Sequence, residues 1–510
     1  MIEDRRPEEM PDDGPDGTPA GGDGPEPARG VSRWIRPAMG ALLAAVGVAE
    51  PVIAFVAIGT GNGGDAAAVL FLVGIMVNLM PFAPWGLYRA VKTGRRPAAA
   101  AALAGVLLAV VTFPYEHDVE VGAVWQAQPD RPSDARGIGA WLDGGILVRA
   151  RADAVVGYRV DTGEVAWRWT PPGQDTVCTM SEATGDGVGL VGHSAHGKPC
   201  ATVTALGLAT GTARWATSVD APGRSGDDAV AATAAIAGGL AVLQENGGWR
   251  AAALADGRTL WQTRTEPGCT PVALAGAPAA VVTVARCGET APVLRTLRPA
   301  DGREQTHTEL PVTSRLKGLA LLAADPVTLW VDEEAGRGTH AVLGYARDGR
   351  LRSTVPVSGP EFDLVVQPGS GLDDTFPARP AYGAVVVGDL LVAPAVKPDD
   401  ITFEATAHGT RRRGTGRLVA FSLADGTQRW TAGVDESVEG VAADGDTVWA
   451  LTHDNSLYHF AAPTGSRQSK QSVPGHTRID PVVLWPVAGG RFVLVAHDGT
   501  GGEPPVTVLH

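Results

Sequence analysis

The chain has 510 residues, 44 % hydrophobic and 19 % charged, with a formal net charge of −14 at pH 7. From Tyr115 onward 33 Lys and Arg stand against 45 Asp and Glu, a net of −12, which disfavours nucleic acid and anionic lipid surfaces as partners. In chain order, Met1 to Glu26 carry nine acids against Arg5 and Arg6, set among Pro and Gly. That composition offers almost nothing to bury and predicts a disordered acidic tail over residues 1–36, with Arg29, Arg33 and Arg36 as its basic juxtamembrane end.

Residues 37–114 hold three apolar runs, about Ala38 to Ile58, Ala66 to Tyr88 and Ala98 to Phe113. Crossing a hydrocarbon core of about 30 Å takes roughly 20 residues, so three transmembrane α-helices are expected, the third being short. A cleaved signal peptide does not fit, because the first run begins beyond residue 36 and more of the same follows. Arg89, Lys92, Arg95 and Arg96 lie between the second and third runs, whereas Thr60 to Asp65 and Tyr115 to Glu120 hold no Lys or Arg. The positive-inside rule therefore predicts a multi-pass protein of the plasma membrane with a cytoplasmic N-terminus and everything after the third span outside. Glu50 within the first span costs on the order of 3 kcal/mol if charged, and is read as a neutral or Asn78-paired packing contact.

Residues 115–510 repeat. Glycine followed by Trp recurs as Gly163 with Trp167, Gly211 with Trp215, Gly257 with Trp261, and Gly426 with Trp430. Weaker copies at Gly302, Gly349 and Gly465 give intervals of 48, 46, 45, 47, 77 and 39 residues. In each copy an alternating run such as Val155 to Val160 reads as a strand, Asp161-Thr162-Gly163 reverses the chain, and Val165, Trp167 and Trp169 resume the alternation. Short strands at this period are the signature of a β-propeller, with the Trp residues as blade-packing groups.

The pattern of hydrophobic run, Asp, Thr-Gly or Asp-Gly, three residues and Trp resembles the pyrroloquinoline-quinone (PQQ) type propeller repeat, whose Trp-docking motif ties blades together. The resemblance covers roughly Val121 to His510 and implies fold. It occurs in quinoprotein dehydrogenases, in the propeller lipoprotein of the outer-membrane barrel-assembly machinery and in sensor domains outside membrane-bound kinases. Quinoprotein dehydrogenases add a calcium or lanthanide held by acidic and amide side chains, an aspartate base and a vicinal Cys-Cys ring. Here no two cysteines are adjacent, and the only Asn residues after the spans are Asn246 and Asn455, so no cofactor and no catalytic residue is carried over.

Counting outgoing strands gives eight four-stranded blades. Ala123 to Ala127 supplies an outer strand for Val482 to Pro486, Arg491 to Ala496 and Val506 to His510, which closes the ring through the two chain ends. The 77-residue interval is read as one blade, with strands at Ala384 to Ala393 and Arg417 to Ser422 and loops at Pro377 to Pro380 and Lys397 to Thr415; a ninth repeat is the alternative.

All four cysteines lie in the predicted exterior part. Separations of 22 for Cys178 and Cys200 and 18 for Cys269 and Cys287 suit two hairpin staples, each stabilising by about 3 kcal/mol through loop closure. No Cys-x2-Cys pair suggests zinc. His193-Ser194-Ala195-His196, near Cys200, reads as a polar hairpin tip, and His453-Asp454-Asn455 as a hairpin turn before His459. Asp373-Asp374 and Asp399-Asp400 lack the spacing of a calcium loop. Arg411-Arg412-Arg413, between Gly409 and Gly414, is a basic loop able to contact an anionic partner.

The function expected is a non-enzymatic, membrane-anchored binding or scaffold module of the bacterial cell envelope, meeting lipid through its helices and a protein, peptide or polysaccharide through its propeller. An extracytoplasmic sensor signalling through the helices is the alternative, and a quinoprotein dehydrogenase a minor one.

Overall fold

A computed structural model describes residues 119–131, 137–220, 234–288, 291–366, 383–406, 409–473, 482–496 and 504–510. The chain divides into two compact units, Met1–Asp118 and Val119–His510. The three expected membrane helices, with Glu50 and Asn78, lie outside the described residues, as do Asp373 and Asp374. Among the described residues no helix is long and apolar enough to cross a membrane.

The second unit is an eight-bladed β-propeller of antiparallel sheets. Blade 1 is built from Gly137–Asp143, Ile146–Arg151, Val155–Arg159 and Val165–Trp169, and blades 2 to 5 repeat this meander. Blade 8 combines Val482–Val487, Arg491–Ala496 and Val506–Leu509 with Ala123–Gln126 as its outer strand. Ala123 faces Leu509, Trp125 faces Val508 and Gln126 faces Thr507, so the expected closure by the two chain ends is present.

Blades 6 and 7 depart from four strands. In blade 6 the run expected as one strand breaks at Gly388, whose φ of 56° favours glycine, into Val385–Val387 and Leu390–Val396, which pair with each other. The 77-residue interval therefore holds one blade, and its excess is insertion. Blade 7 gains an unanticipated fifth strand, Val119–Glu120, parallel to Arg467–Ser472. A two-residue strand leaves no periodicity to read. The entering chain thus bonds blade 7, then crosses to blade 8, where Gly122 and His510 exchange backbone bonds of 3.0 and 2.9 Å.

The cores lie between blades. One cluster joins Trp141, Val148 and Trp167 of blade 1 to Val177, Val191 and Leu206 of blade 2, and another joins Leu147 and Val160 to Val493 and Val508 across the closure. Trp indoles cross these junctions. Trp125, Trp167, Trp215, Trp261 and Trp430 donate Nε1–H to the carbonyls of Val160, Leu208, Leu254, Pro299 and Ala462 in the following blade, at 2.6 to 2.9 Å. Each ring rests on the next blade's turn glycine. A Cβ on Gly211 would lie 2.4 Å from the Trp167 ring, and one on Gly465 2.4 Å from that of Trp430. Every outer strand also bulges at the residue before the docking position, at Val124, Ala166, Arg214, Leu260, Gln305, Arg352, Arg429 and Gln468. The extra residue turns the following side chain toward the neighbouring blade. It also accounts for two exposed hydrophobic side chains, Val124 and Leu260.

Candidate binding face

Antiparallel meanders send their connections to two opposite faces. On the turn face, strands are joined mostly by short reversals such as Gly144-Gly145, Gly238-Gly239 and Gly445-Asp446, and by the repeat's Gly turns. The links between blades and the loops between second and third strands emerge on the other face, which carries the longer segments 196–201, 334–339, 357–362 and 397–415. Both disulfides form as expected, Cys178 with Cys200 and Cys269 with Cys287, with Cα separations of 5.9 and 4.0 Å, and both lie at this loop end of their blades.

Charged clamps, some of them buried, hold the loop face. Glu333, 1 % exposed, accepts bonds from the backbone N–H groups of Thr313 at 2.7 Å, Ser314 at 2.5 Å and Thr339, and so ties an inter-blade link to the loop after its own strand. Burial alone would raise its pKa, but these donors hold it at about 2. Beside it the Asp332 carboxylate, 2.5 Å from His340 Nδ1, raises the imidazole pKa. Asp130, in the link from blade 8 to blade 1, bonds Arg149 of blade 1 at 3.0 Å and Arg151 at 2.7 Å, and Arg151 also grips Asp153. Asp435, in the link from blade 6 to blade 7, accepts from Lys470 at 2.8 Å and from the Tyr458 hydroxyl at 2.6 Å; these bonds lower its pKa, the Lys470 bond most.

His193 was expected at a hairpin tip. Instead His193 and Ser194 lie within the strand Val188–Ala195 and are buried, while His196 is exposed in the turn beyond. His193 Nδ1 is 2.8 Å from Asp175 Oδ2, and its Nε2 is 3.0 Å from Thr204 Oγ1. The alternating pattern of three adjacent strands aligns these residues, a signal legible only once the register is known. The order carboxylate, imidazole, hydroxyl is that of a nucleophile relay, but His193 is 3 % and Thr204 2 % exposed, so no substrate reaches the hydroxyl. It fastens three strands.

Arg411 to Arg413 were expected in a loop. They form the strand Gly409–Arg413, paired with Thr402–Thr406 in a hairpin outside the blade sheets, with Glu404 facing Arg411 and Phe403 facing Arg412. Thr402, Phe403 and Thr406 in the first strand favour the pairing, which the Arg run and flanking glycines concealed. Asp399 and Asp400 occupy the short 3-10 turn Pro398–Asp400 before it. Asn455, at φ 65°, makes the turn expected at His453 to Asn455, and His459 stacks on Trp449 at 4.3 Å.

A quinone with its metal needs acidic and amide side chains gathered at the channel. Four of the eight inner strands, Ala234–Ala237, Cys269–Ala277, Leu316–Ala324 and Val385–Val387, read mostly Ala, Val and Leu, while Asp143, Asp175, Glu439 and Asp444 lie on three of the others. Among the described residues, one group brings three residues of metal-ligating type together, Glu266 with Cys269 and Cys287, and its sulfurs are joined in a disulfide. That disulfide-bonded group does not supply the acidic and amide set that the cofactor's metal needs.

A family model described as outer membrane protein assembly factor BamB matches residues 181–360 and 381–502. The chain belongs to this family. Solved structures similar to it include the computationally designed Ika8 protein, 14 % identical over 77 % of this chain and 99 % of that one, with a TM-score of 0.48. BamB from Moraxella catarrhalis is 15 % identical over 76 % and 99 %, with a TM-score of 0.43. A quinohemoprotein alcohol dehydrogenase, ADHIIG from Pseudomonas putida HK5, is 13 % identical over 77 % and 76 %, with a TM-score of 0.48. No curated protein matches the chain.

Proposed function

We propose that this protein is a non-enzymatic binding or scaffold module of the bacterial cell envelope, anchored by its N-terminal helices and presenting the loop face of an extracytoplasmic propeller to a protein, peptide or polysaccharide. The asymmetry of the two faces carries this reading. One is closed by tight glycine turns, while the other gathers the longer loops, both disulfides, the inserted hairpin and the charge clamps. Loops carried on a scaffold of packed blades are where recognition concentrates, and each contact that fixes them beforehand lowers the ordering entropy lost on binding. Membership of a family described by an outer-membrane assembly factor favours a protein partner.

Photo-crosslinking amino acids placed at Arg337 and Asp399 on the loop face, and at Gly145 and Gly445 on the turn face, test the reading in intact cells. Adducts are expected from the first pair alone; adducts confined to the second would reverse the assignment. Alkaline phosphatase fused after His510 should be active, and a cytoplasmic-type fluorescent protein fused there should be dark. Fluorescence would overturn the topology.

A further inference from the structure

We propose that Glu266, Cys269 and Cys287 form a thiolate–carboxylate site for one borderline divalent cation of the Zn2+ type in the form of the protein whose Cys269–Cys287 disulfide has been reduced by a dithiol. The three side chains converge on one point, their ligand atoms all within 4.8 Å of one another. Glu266 Oε2 lies 3.7 Å from Cys269 Sγ and 4.0 Å from Cys287 Sγ. Its other oxygen is taken by Arg295 Nη2 at 2.6 Å, which leaves Oε2 turned toward the sulfurs. Outer-shell partners of this kind orient a carboxylate ligand.

The scaffold keeps these positions when the S–S bond is gone. Cys269 and Cys287 are direct partners, the first of eight register pairs between their strands. Glu266 is held by the turn in which its carbonyl accepts the Cys269 N–H at 3.0 Å, with Gly268 at φ 82°. A tetrahedral Zn2+ with bonds of about 2.3 Å to sulfur separates its two sulfurs by about 3.8 Å, a side-chain swing rather than a strand movement. Three protein ligands and a water complete four-coordination.

Access favours this disulfide over the other. The Glu266 side chain is 52 % exposed and both of its cysteines are partly exposed, whereas Cys200 is 1 % exposed. A thiolate of the dithiol attacks one sulfur to give a mixed disulfide, and its second thiol resolves it. Two electrons pass to the protein sulfurs, the dithiol leaves as a disulfide, and the two cysteines take up protons. Cation binding releases both protons, so the two thiolates offset the dication.

The test uses the full-length protein, treated with dithiothreitol that is then removed without air, and titrated with Zn2+ against a chromophoric chelator. One Zn2+ per chain is expected in the reduced protein and none in the oxidised. Glu266→Gln should weaken binding by about tenfold or more. Cys287→Ser should abolish it, and the paired change C178S with C200S should leave it intact. Co2+ should show thiolate charge-transfer absorption in the reduced wild type alone, and alkylation followed by mass spectrometry should label Cys269 and Cys287 first. Circular dichroism establishes that each variant is folded; should C287S misfold, reduced and alkylated wild type takes its place. Absence of zinc binding in the folded, reduced protein overturns the proposal, as does equal binding in E266Q or prior labelling of Cys178 and Cys200.

Discussion

Two kinds of junction hold the ring. At five, from blade 8 to 1, 1 to 2, 2 to 3, 3 to 4 and 6 to 7, an indole crosses onto the next blade's glycine and donates to its backbone. At the others the docking position holds a small polar residue. Thr306 packs on Gly349 while Thr308 Oγ1 donates to the Gly349 carbonyl at 2.8 Å, and Ser353 packs near Gly426. The outer-strand bulge is present at both kinds. Backbone geometry is therefore common to all blades, and the Trp is a separate device laid on it.

The comparison predicts its largest effect at the closure. A version of the chain starting at Gln128 loses Ala123–Gln126, the Trp125 dock and the cover over Val493 and Val508. It should aggregate or melt well below one starting at Tyr115, because the closing blade then exposes an unpaired apolar edge. Equal melting temperatures for the two would show that the closure contributes nothing.

Next in size is a Trp junction set against a polar one. Trp167→Ala should cost about 3–5 kcal/mol in urea unfolding, since it deletes a side chain that is 8 % exposed and the bond to Leu208. Gly211→Ala adds a Cβ against that ring at φ 66°, yet in the double variant the ring is gone, so the two costs should fall short of additive by about 1 kcal/mol or more. Thr308→Ala should cost about 1 kcal/mol. Similar losses for Trp167→Ala and Thr308→Ala would erase the distinction between junctions.

The same comparison shows what a reader of the sequence can see. The propeller, its period and the closing strand are legible because Gly-to-Trp spacing and strand alternation are local. The ownership of each half of the motif is not. Gly302 and Gly465 look like degraded copies because no Trp follows, yet each receives the indole of the blade before, Trp261 and Trp430. A copy's Gly and Trp serve different junctions, and this appears only when neighbouring blades are placed together. The loop-face clamps were hidden for a related reason. Glu333 meets Thr313 and Thr339 through backbone N–H groups, which no side-chain pattern records, and the Asp175, His193 and Thr204 line depends on the register of three strands.

Glu333 sharpens the contrast, since it lies in blade 5, between two junctions without Trp. Its folded pKa of about 2 is below the free value of 4.5, so its contribution is fully present above about pH 4.5 and is lost as pH falls through about 2. Hydrogen exchange, corrected for intrinsic rates, should therefore show the Thr313, Ser314 and Thr339 amides opening in acid before the core of blades 2 and 3. Glu333→Gln should remove that acid dependence and cost about 2 kcal/mol at neutral pH. Uniform acid opening of all blades would mean that the polar junctions are no weaker than the docked ones.

The smallest effect belongs to the surface of the junction between blades 5 and 6. Arg352, the bulge residue there, reaches Asp389 with two bonds of 3.1 and 3.3 Å, side by side, which gives the pair a forked geometry. The Asp389 side chain is 58 % exposed, so water screens the attraction and competes for both partners. Arg352→Ala should therefore cost about 0.5 kcal/mol or less, and the cost should shrink further in high salt. If this single change instead costs as much as Trp167→Ala, the ion pair is the fifth blade's substitute for a docked indole, and a polar junction is held from its rim rather than from the fit of Ser353 near Gly426.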